Sequence, residues 1–112
     1  MSRREVLRLR DIRHAIATIR DHIASGPFDR KPSDAVLDNL VVIGEAAAQI
    51  SDYTRARAPE IPWTNVVGLR NLIAHEYFRI DLDVIQAIVA EQLDELDATA
   101  ERLVAEDDDS SA

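Results

Sequence analysis

The sequence contains no cysteine, and this absence excludes disulfide bonds, thiol nucleophiles and thiolate metal sites together. Aromatic residues make up only 4% of the 112 positions, so a core must be built from Leu, Ile, Val and Ala. Small aliphatic residues at that density favour helices over a sandwich or barrel. No apolar run resembles a signal peptide or is long enough to cross a bilayer. We therefore expect a soluble, cytoplasmic, all-helical protein.

Basic residues are few, and they are unevenly distributed. Thirteen Lys and Arg against twenty-one Asp and Glu give a net charge of -8, which on average repels nucleic acid. Six arginines nevertheless lie within the first twenty residues, whereas Arg102 is the one basic residue after position 80. All basic residues except Lys31 are Arg, whose guanidinium suits bidentate phosphate contacts. The composition permits a phosphate-binding site without requiring one.

The spacing of apolar residues predicts the first half of the fold. Intervals of three and four residues indicate an amphipathic helix at about residues 3–24, which Gly26 and Pro27 end. Ser33 or Asp34 is expected to cap a second helix at about residues 34–57. In that helix Gly44 and the alanines after it let another backbone approach closely, which suits a tight bundle or a self-association surface.

The second half of the chain predicts two further helices. A short helix is expected at about residues 64–76, and Asp81 is placed to cap a last helix at about residues 82–104. Short connections between four helices predict an antiparallel up-and-down four-helix bundle. The domain boundaries are then a helical domain at residues 1–105 and an acidic, flexible tail at residues 106–112.

Four acidic residues of the second predicted helix share one face. A carboxylate metal site is one interpretation, but no histidine joins the group and gaps of seven residues are long for ligands. We therefore expect a solvated face and no metal site or other cofactor. The residues concerned are Asp34, Asp38, Glu45 and Asp52.

Reactive side chains are dense in one segment, residues 68–77. Arg70 supplies a permanent cation, Asn71 an amide, His75 a group that titrates near neutrality and Tyr77 a phenol. RNA cleavage requires proton transfer and fixed positive charge beside the phosphorane. His75 suits the proton transfer, while Arg70 and Asn71 suit phosphate binding. The nucleophile would be the substrate's own 2′-hydroxyl, so the chemistry requires no metal and spares DNA.

Helix geometry restricts how these groups can meet. Five residues turn an ideal helix by about 140°, which puts Arg70 and His75 on different sides, whereas Asn71 and His75 share a face. Arg70 can reach round on its long stem, the helix can loosen near His75, or a second copy of the chain can complete the site. We favour the second copy.

A purely structural interpretation is also open. His75 then caps a helix end, Arg70 pairs with a carboxylate of the last helix, and Tyr77 packs near Trp63. We expect Trp63 itself to be a core anchor rather than a stacking platform for a base. His14 and His22 are expected to be surface residues.

The pattern Arg70-Asn71-x-x-x-His75-x-Tyr77, with Pro62 and Trp63 before it, resembles the signature of the HepT-like toxins of the HEPN ribonuclease superfamily. The resemblance extends over essentially the whole chain. It implies a homodimer with two motifs facing each other across a cleft, acting as a metal-independent endoribonuclease on single-stranded RNA. By this resemblance Arg70 and His75 are catalytic and Asn71 is their polar support.

The same resemblance implies a partner. HepT-like toxins are usually paired, in toxin–antitoxin modules of type II or a type VII-like kind, with a minimal nucleotidyltransferase antitoxin. That antitoxin transfers AMP to the tyrosine of the motif, which is Tyr77 here. The alternative function is a non-catalytic helical module that docks a nucleotidyltransferase.

Overall fold

The computed structural model describes residues 1–24 and 34–111, and every regular element in those ranges is an α-helix. This confirms the predicted all-helical class. Gly26, Pro27 and Ser33, which were predicted to end one helix and to cap the next, lie outside the described residues. The helices in these two ranges are α1 (Arg3–Ala24), α2 (Asp34–Ala48), α3 (Asp52–Ala56), α4 (Trp63–Glu76), α5 (Leu82–Glu91) and α6 (Leu93–Ser111).

The second predicted helix is in fact two helices, so the boundary predicted at residue 57 is wrong. Helix α2 ends at Ala48, and Ser51 adopts an extended backbone and caps α3 by accepting a hydrogen bond from the Thr54 N–H. The Ser51 N–H in turn donates to the Glu5 carboxylate of α1 at 2.6 Å. A partner 46 residues away therefore stabilises the break, and no local pattern could reveal it.

The last predicted helix is also divided, at Gln92. Its start is as predicted, because the Asp81 side chain accepts a hydrogen bond from the Asp83 N–H at 2.8 Å. Its end, predicted at about residue 104, is wrong, because α6 continues through the following acidic segment to Ser111. There Glu106 accepts hydrogen bonds from Arg57 at 2.9 Å and from Arg102 at 3.0 Å. These ion pairs give the segment partners that its composition did not indicate.

The core lies between α1, α2, α4 and the α5–α6 pair. Helix α2 packs against both α1 and α4, while α6 packs against α1 and α5. Aliphatic side chains fill the space, and Trp63 joins them with 8% of its surface exposed. Its indole Nε1–H donates to the Ala58 carbonyl at 3.0 Å, which satisfies the polar atom of a buried ring. The prediction that Trp63 is a core anchor is confirmed.

Ion pairs join the basic helix α1 to the acidic helix α6. Asp97 accepts hydrogen bonds from Arg13 and Arg20 at 3.0 Å each. Burial alone would raise the pKa of Asp97, but the hydrogen bonds from the two guanidinium groups outweigh it and lower that pKa. Two arginines of the basic first helix are thus held by carboxylates of the same chain.

We expect the protein to lose stability as the pH falls below about 5. Burial would raise the pKa of Glu5, but hydrogen bonds from Ser51 and Ser2 outweigh it, so its pKa is lowered, as is that of Asp97. A carboxyl group with a lowered folded-state pKa stabilises the fold above its ordinary pKa and loses that contribution as the pH falls through the folded value. A decrease of about 1 kcal/mol in the free energy of unfolding would lower the melting temperature by about 4–8 °C in a domain of this size.

Thermal melts followed by circular dichroism between pH 7 and pH 3 measure this effect. The Glu5→Gln variant is the control, since it lacks one of the titrating groups and should show a shallower decline. A melting temperature that stays constant down to pH 3 would contradict the expectation.

Candidate active site on helix α4

One face of α4 packs into the core and the opposite face is open. Buried residues recur along the packed face at Trp63, Val66, Leu69 and Ile73, spaced three, three and four residues apart. Side chains half a turn away from this stripe point outward, and Asn71 and His75 are both exposed. Since the two lie four residues apart on a continuous helix, they share the open face as predicted.

Arg70 lies at the flank of α4 where that helix meets α2. The approach is close, because a Cβ added at Gly44 would lie 2.9 Å from the Arg70 backbone nitrogen and 3.2 Å from the Val66 carbonyl oxygen. Gly44 therefore provides the close backbone approach predicted from its small neighbours, and it does so within the chain. This contact fixes the backbone from which the Arg70 side chain projects.

The interpretation in which Arg70 pairs with a carboxylate of the last helix is wrong. Its side chain is half-buried, and it forms no ion pair with α6 or with any other carboxylate in residues 1–24 and 34–111. Five carboxylates of α6 form ion pairs with other cations, namely Arg13, Arg20, Arg57, Arg102 and the N-terminal amine. The Arg70 guanidinium is therefore not committed to a carboxylate within the described part of the chain.

The geometry of α4 removes one of the three ways of completing the site. The helix is continuous through Glu76, so it does not loosen near His75. On a regular helix, five residues correspond to about 140° of rotation and about 7.5 Å of rise. Arg70 thus faces the α2 side while His75 faces outward, and a single α4 does not direct both side chains to one point.

Tyr77 follows the last residue of α4 and reaches back to the start of α2. Its hydroxyl donates a hydrogen bond to Asp34 Oδ1 at 2.8 Å, and its ring meets that of Phe78 edge to face at 5.3 Å. The hydrogen bond to Asp34, burial, and the charges of Asp34 and Asp38 all raise the pKa of Tyr77. The phenol is therefore neutral at pH 7. No local sequence signal could indicate the Asp34 contact, since the two residues lie 43 positions apart.

Apolar side chains are exposed around this part of the molecule. Leu72 is 37% exposed, Phe78 86% and Val84 43%. They come from α4, from the turn after it and from α5, so they belong to the part of the chain that carries His75. Leu72 lies on the open side of α4 with Asn71 and His75, and exposed apolar groups beside reactive ones are typical of surfaces that a partner covers.

The described residues contain neither a metal-binding cluster nor a spanning helix. Within them no group of three or more His, Asp and Glu side chains is arranged to hold a metal ion. The four carboxylates of the second predicted helix are all exposed, as expected for a solvated face. Within the same residues, no helix combines the length and the apolar character that crossing a bilayer requires.

A protein-family model described as "Ribonuclease HepT-like" matches residues 8–103. The matched range includes α4 and all four residues singled out between positions 70 and 77. It covers the chain from Arg8, in the second turn of α1, to Leu103, the last buried leucine of α6.

Individual relatives agree with the family match. The chain is 33% identical over 100 residues to "Probable ribonuclease HepT" of Thermococcus cleftensis. The matched region covers 85% of this chain and 91% of that protein. The chain is 42% identical over 59 residues to "Putative RNase MJ1380" of Methanocaldococcus jannaschii, covering 53% of this chain and 54% of that protein. The chain thus spans about half the length of the second relative. No solved structure matches the chain.

Proposed function

The chain belongs to the HepT-like ribonuclease family, and on this premise we propose that it is a metal-independent endoribonuclease acting on single-stranded RNA in the cytoplasm. The observation that carries the proposal is the position of the reactive segment. Arg70, Asn71 and His75 lie within the family match, and they stand on a helix whose opposite face is anchored in the core. A helix holds such groups more precisely than a loop does.

The proposed reaction uses the RNA's own 2′-hydroxyl. One imidazole accepts the 2′-hydroxyl proton as the 2′-oxygen bonds to phosphorus, and an imidazolium protonates the 5′-oxygen as its bond to phosphorus breaks. The products are a 2′,3′-cyclic phosphate and a free 5′-hydroxyl. Arg70 would stabilise the charge that gathers on the phosphorane, and Asn71 would donate a hydrogen bond to it.

We propose that the active form is a homodimer. Within one α4, Arg70 and His75 lie about 140° apart, and the continuous helix does not loosen to bring them together. Two copies packed through the open face of α4 would supply two imidazoles, one as base and one as acid. The exposed Leu72 and Phe78 offer apolar surface for such packing. Each protomer would then form a four-helix bundle of α1, α2 with α3, α4, and α5 with α6.

RNA cleavage is expected to continue in excess chelator and to spare DNA. If the 2′-hydroxyl is the nucleophile, an RNA strand with one deoxynucleotide should resist cleavage at that site. Purified protein, shown to be folded and dimeric, is incubated with end-labelled RNA, the deoxy-substituted strand and the all-DNA strand in EDTA. Intact RNA beside a folded dimer would contradict the proposal and favour the non-catalytic docking module. Cleavage of the DNA strand would contradict the 2′-hydroxyl mechanism.

We further propose that the chain is the toxin of a type II or type VII-like toxin–antitoxin module and that a nucleotidyltransferase antitoxin silences it. In the proposed step Tyr77 Oη bonds to the α-phosphorus of ATP, pyrophosphate leaves and the phenolic proton is released. The attached AMP would put negative charge near Arg70 and His75 and occupy the cleft. The support is position, since Tyr77 comes two residues after His75.

Replacing Tyr77 by Phe should prevent this modification. The chain has one other tyrosine, Tyr53 on α3, whose side chain is 73% exposed. Each variant is co-expressed with the minimal nucleotidyltransferase from its gene neighbourhood, and the intact protein is weighed by mass spectrometry. We expect AMP adducts on the wild type and on Tyr53→Phe, but none on Tyr77→Phe. Adducts that persist on Tyr77→Phe would contradict the assignment.

A further inference from the structure

The last three residues of α4 do not themselves pack into the core. Ile73, with 1% of its surface exposed, is the last buried residue of that helix. Ala74, His75 and Glu76 after it are all exposed, so none of them anchors the helix end by packing. Beyond the hydrogen bonds of the helix itself, any contact that fixes the direction of His75 must therefore be made by a neighbour.

The neighbour with a long-range contact is Tyr77. It is partly buried, and its hydroxyl donates to the Asp34 carboxylate at 2.8 Å. Asp34 is the first residue of α2, and α2 is fixed to α4 at Gly44, three turns further along. A hydrogen bond to a charged acceptor is stronger and more directional than a neutral one. The bond therefore joins the end of α4 to a helix whose position the core already fixes, and it adds to the packing of the Tyr77 ring against the core.

We infer that Asp34 is a positioning residue for RNA cleavage: its hydrogen bond to Tyr77 holds the end of α4 and so sets the direction of the His75 imidazole. The inference rests on the proposed function, because His75 must act on RNA for its direction to matter. Misplacing a catalytic group by about 1 Å can lower a rate by about 100-fold.

The same bond gives the proposed modification a second effect. When Tyr77 Oη carries a phosphodiester, it has no proton to donate to Asp34. The new negative charge would also lie beside the carboxylates of Asp34 and Asp38, which already influence the Tyr77 hydroxyl. Modification would therefore release the end of α4 as well as occupy the cleft.

The test compares kcat and KM for a single-stranded RNA across four single variants and one double variant. Asp34→Ala removes the acceptor and should lower kcat by about tenfold or more, with a smaller change in KM. Asp34→Asn keeps an oxygen that can accept from Tyr77, so it should retain most of the activity. Asp38→Ala is the matched control, because Asp38 is an exposed aspartate one turn along α2 without this bond, and its kcat should stay within about twofold.

The fourth variant, Tyr77→Phe, removes the donor and completes a double-mutant cycle. If one hydrogen bond carries the effect, the Asp34→Ala, Tyr77→Phe double variant should be no slower than either single variant. Assays are run well below the melting temperature of each protein. Should Asp34→Ala fail to fold, Tyr77→Phe reports on the same bond.

Three results would overturn the positioning role in an active wild type: unchanged kcat in Asp34→Ala, equal losses in Asp34→Asn and Asp34→Ala, or losses that add in the double variant. A wild type that does not cleave RNA would overturn the proposed function itself and this inference with it. The two failures are therefore distinguished by the wild-type rate alone.

Discussion

Replacing His75 by Ala should abolish RNA cleavage and leave the fold intact. The side chain is exposed on the open face of α4, and the described residues give it no hydrogen-bond or ion-pair partner. Truncating it should therefore change the free energy of unfolding by no more than about 0.5 kcal/mol. A positioned general acid or base contributes about 10²–10⁴-fold to a rate, and the variant loses this from both protomers of the proposed dimer.

Single-turnover cleavage of a labelled RNA and a thermal melt measure the two halves of this expectation. His14→Ala is the matched control, because His14 is also an exposed histidine but belongs to α1 rather than to α4. This variant should keep the wild-type rate. A large fall in melting temperature for His75→Ala would indicate a structural role for that histidine. Unimpaired cleavage by a well-folded His75→Ala would show that the imidazole transfers no proton in the reaction.

Replacing Gly44 by Ala should lower both stability and activity. The added Cβ would lie 2.9 Å from the Arg70 nitrogen, 3.2 Å from the Arg70 Cβ and 3.2 Å from the Val66 carbonyl oxygen. These atoms belong to the backbone of α4 or are attached to it directly, so the helix itself must move. Overpacking of this kind costs about 1–3 kcal/mol. The same movement displaces Arg70, and cleavage should fall by up to about 100-fold.

Gly68→Ala is the control for the stability half of this prediction. It makes the same substitution on the same pair of packed helices, but a Cβ at Gly68 meets no atom within 4 Å. Replacing a helical glycine by alanine there should stabilise the chain by about 0.8–1 kcal/mol. Melting temperatures should therefore move in opposite directions for the two variants. A Gly44→Ala protein as stable as the wild type would show that α2 and α4 can separate without cost.

Local sequence signals were sufficient for several elements. The periodicity predicted α1 at its observed bounds, and the polar side chain of Asp81 identified the start of α5. The resemblance to HepT-like proteins, drawn from the residues between 70 and 77, is confirmed by the family match. Each of these signals is contained within a few neighbouring residues.

The sequence alone determined the all-helical class and the set of reactive side chains, because helix propensity, capping and residue chemistry act within about four positions. Only the tertiary structure decided where the long predicted helices break and which partner each polar group takes. The reason is that the partners are far apart in the sequence. Glu5 and Ser51 are separated by 46 residues, and Tyr77 and Asp34 by 43. Such contacts depend on how helices pack, and the periodicity of the sequence does not predict them.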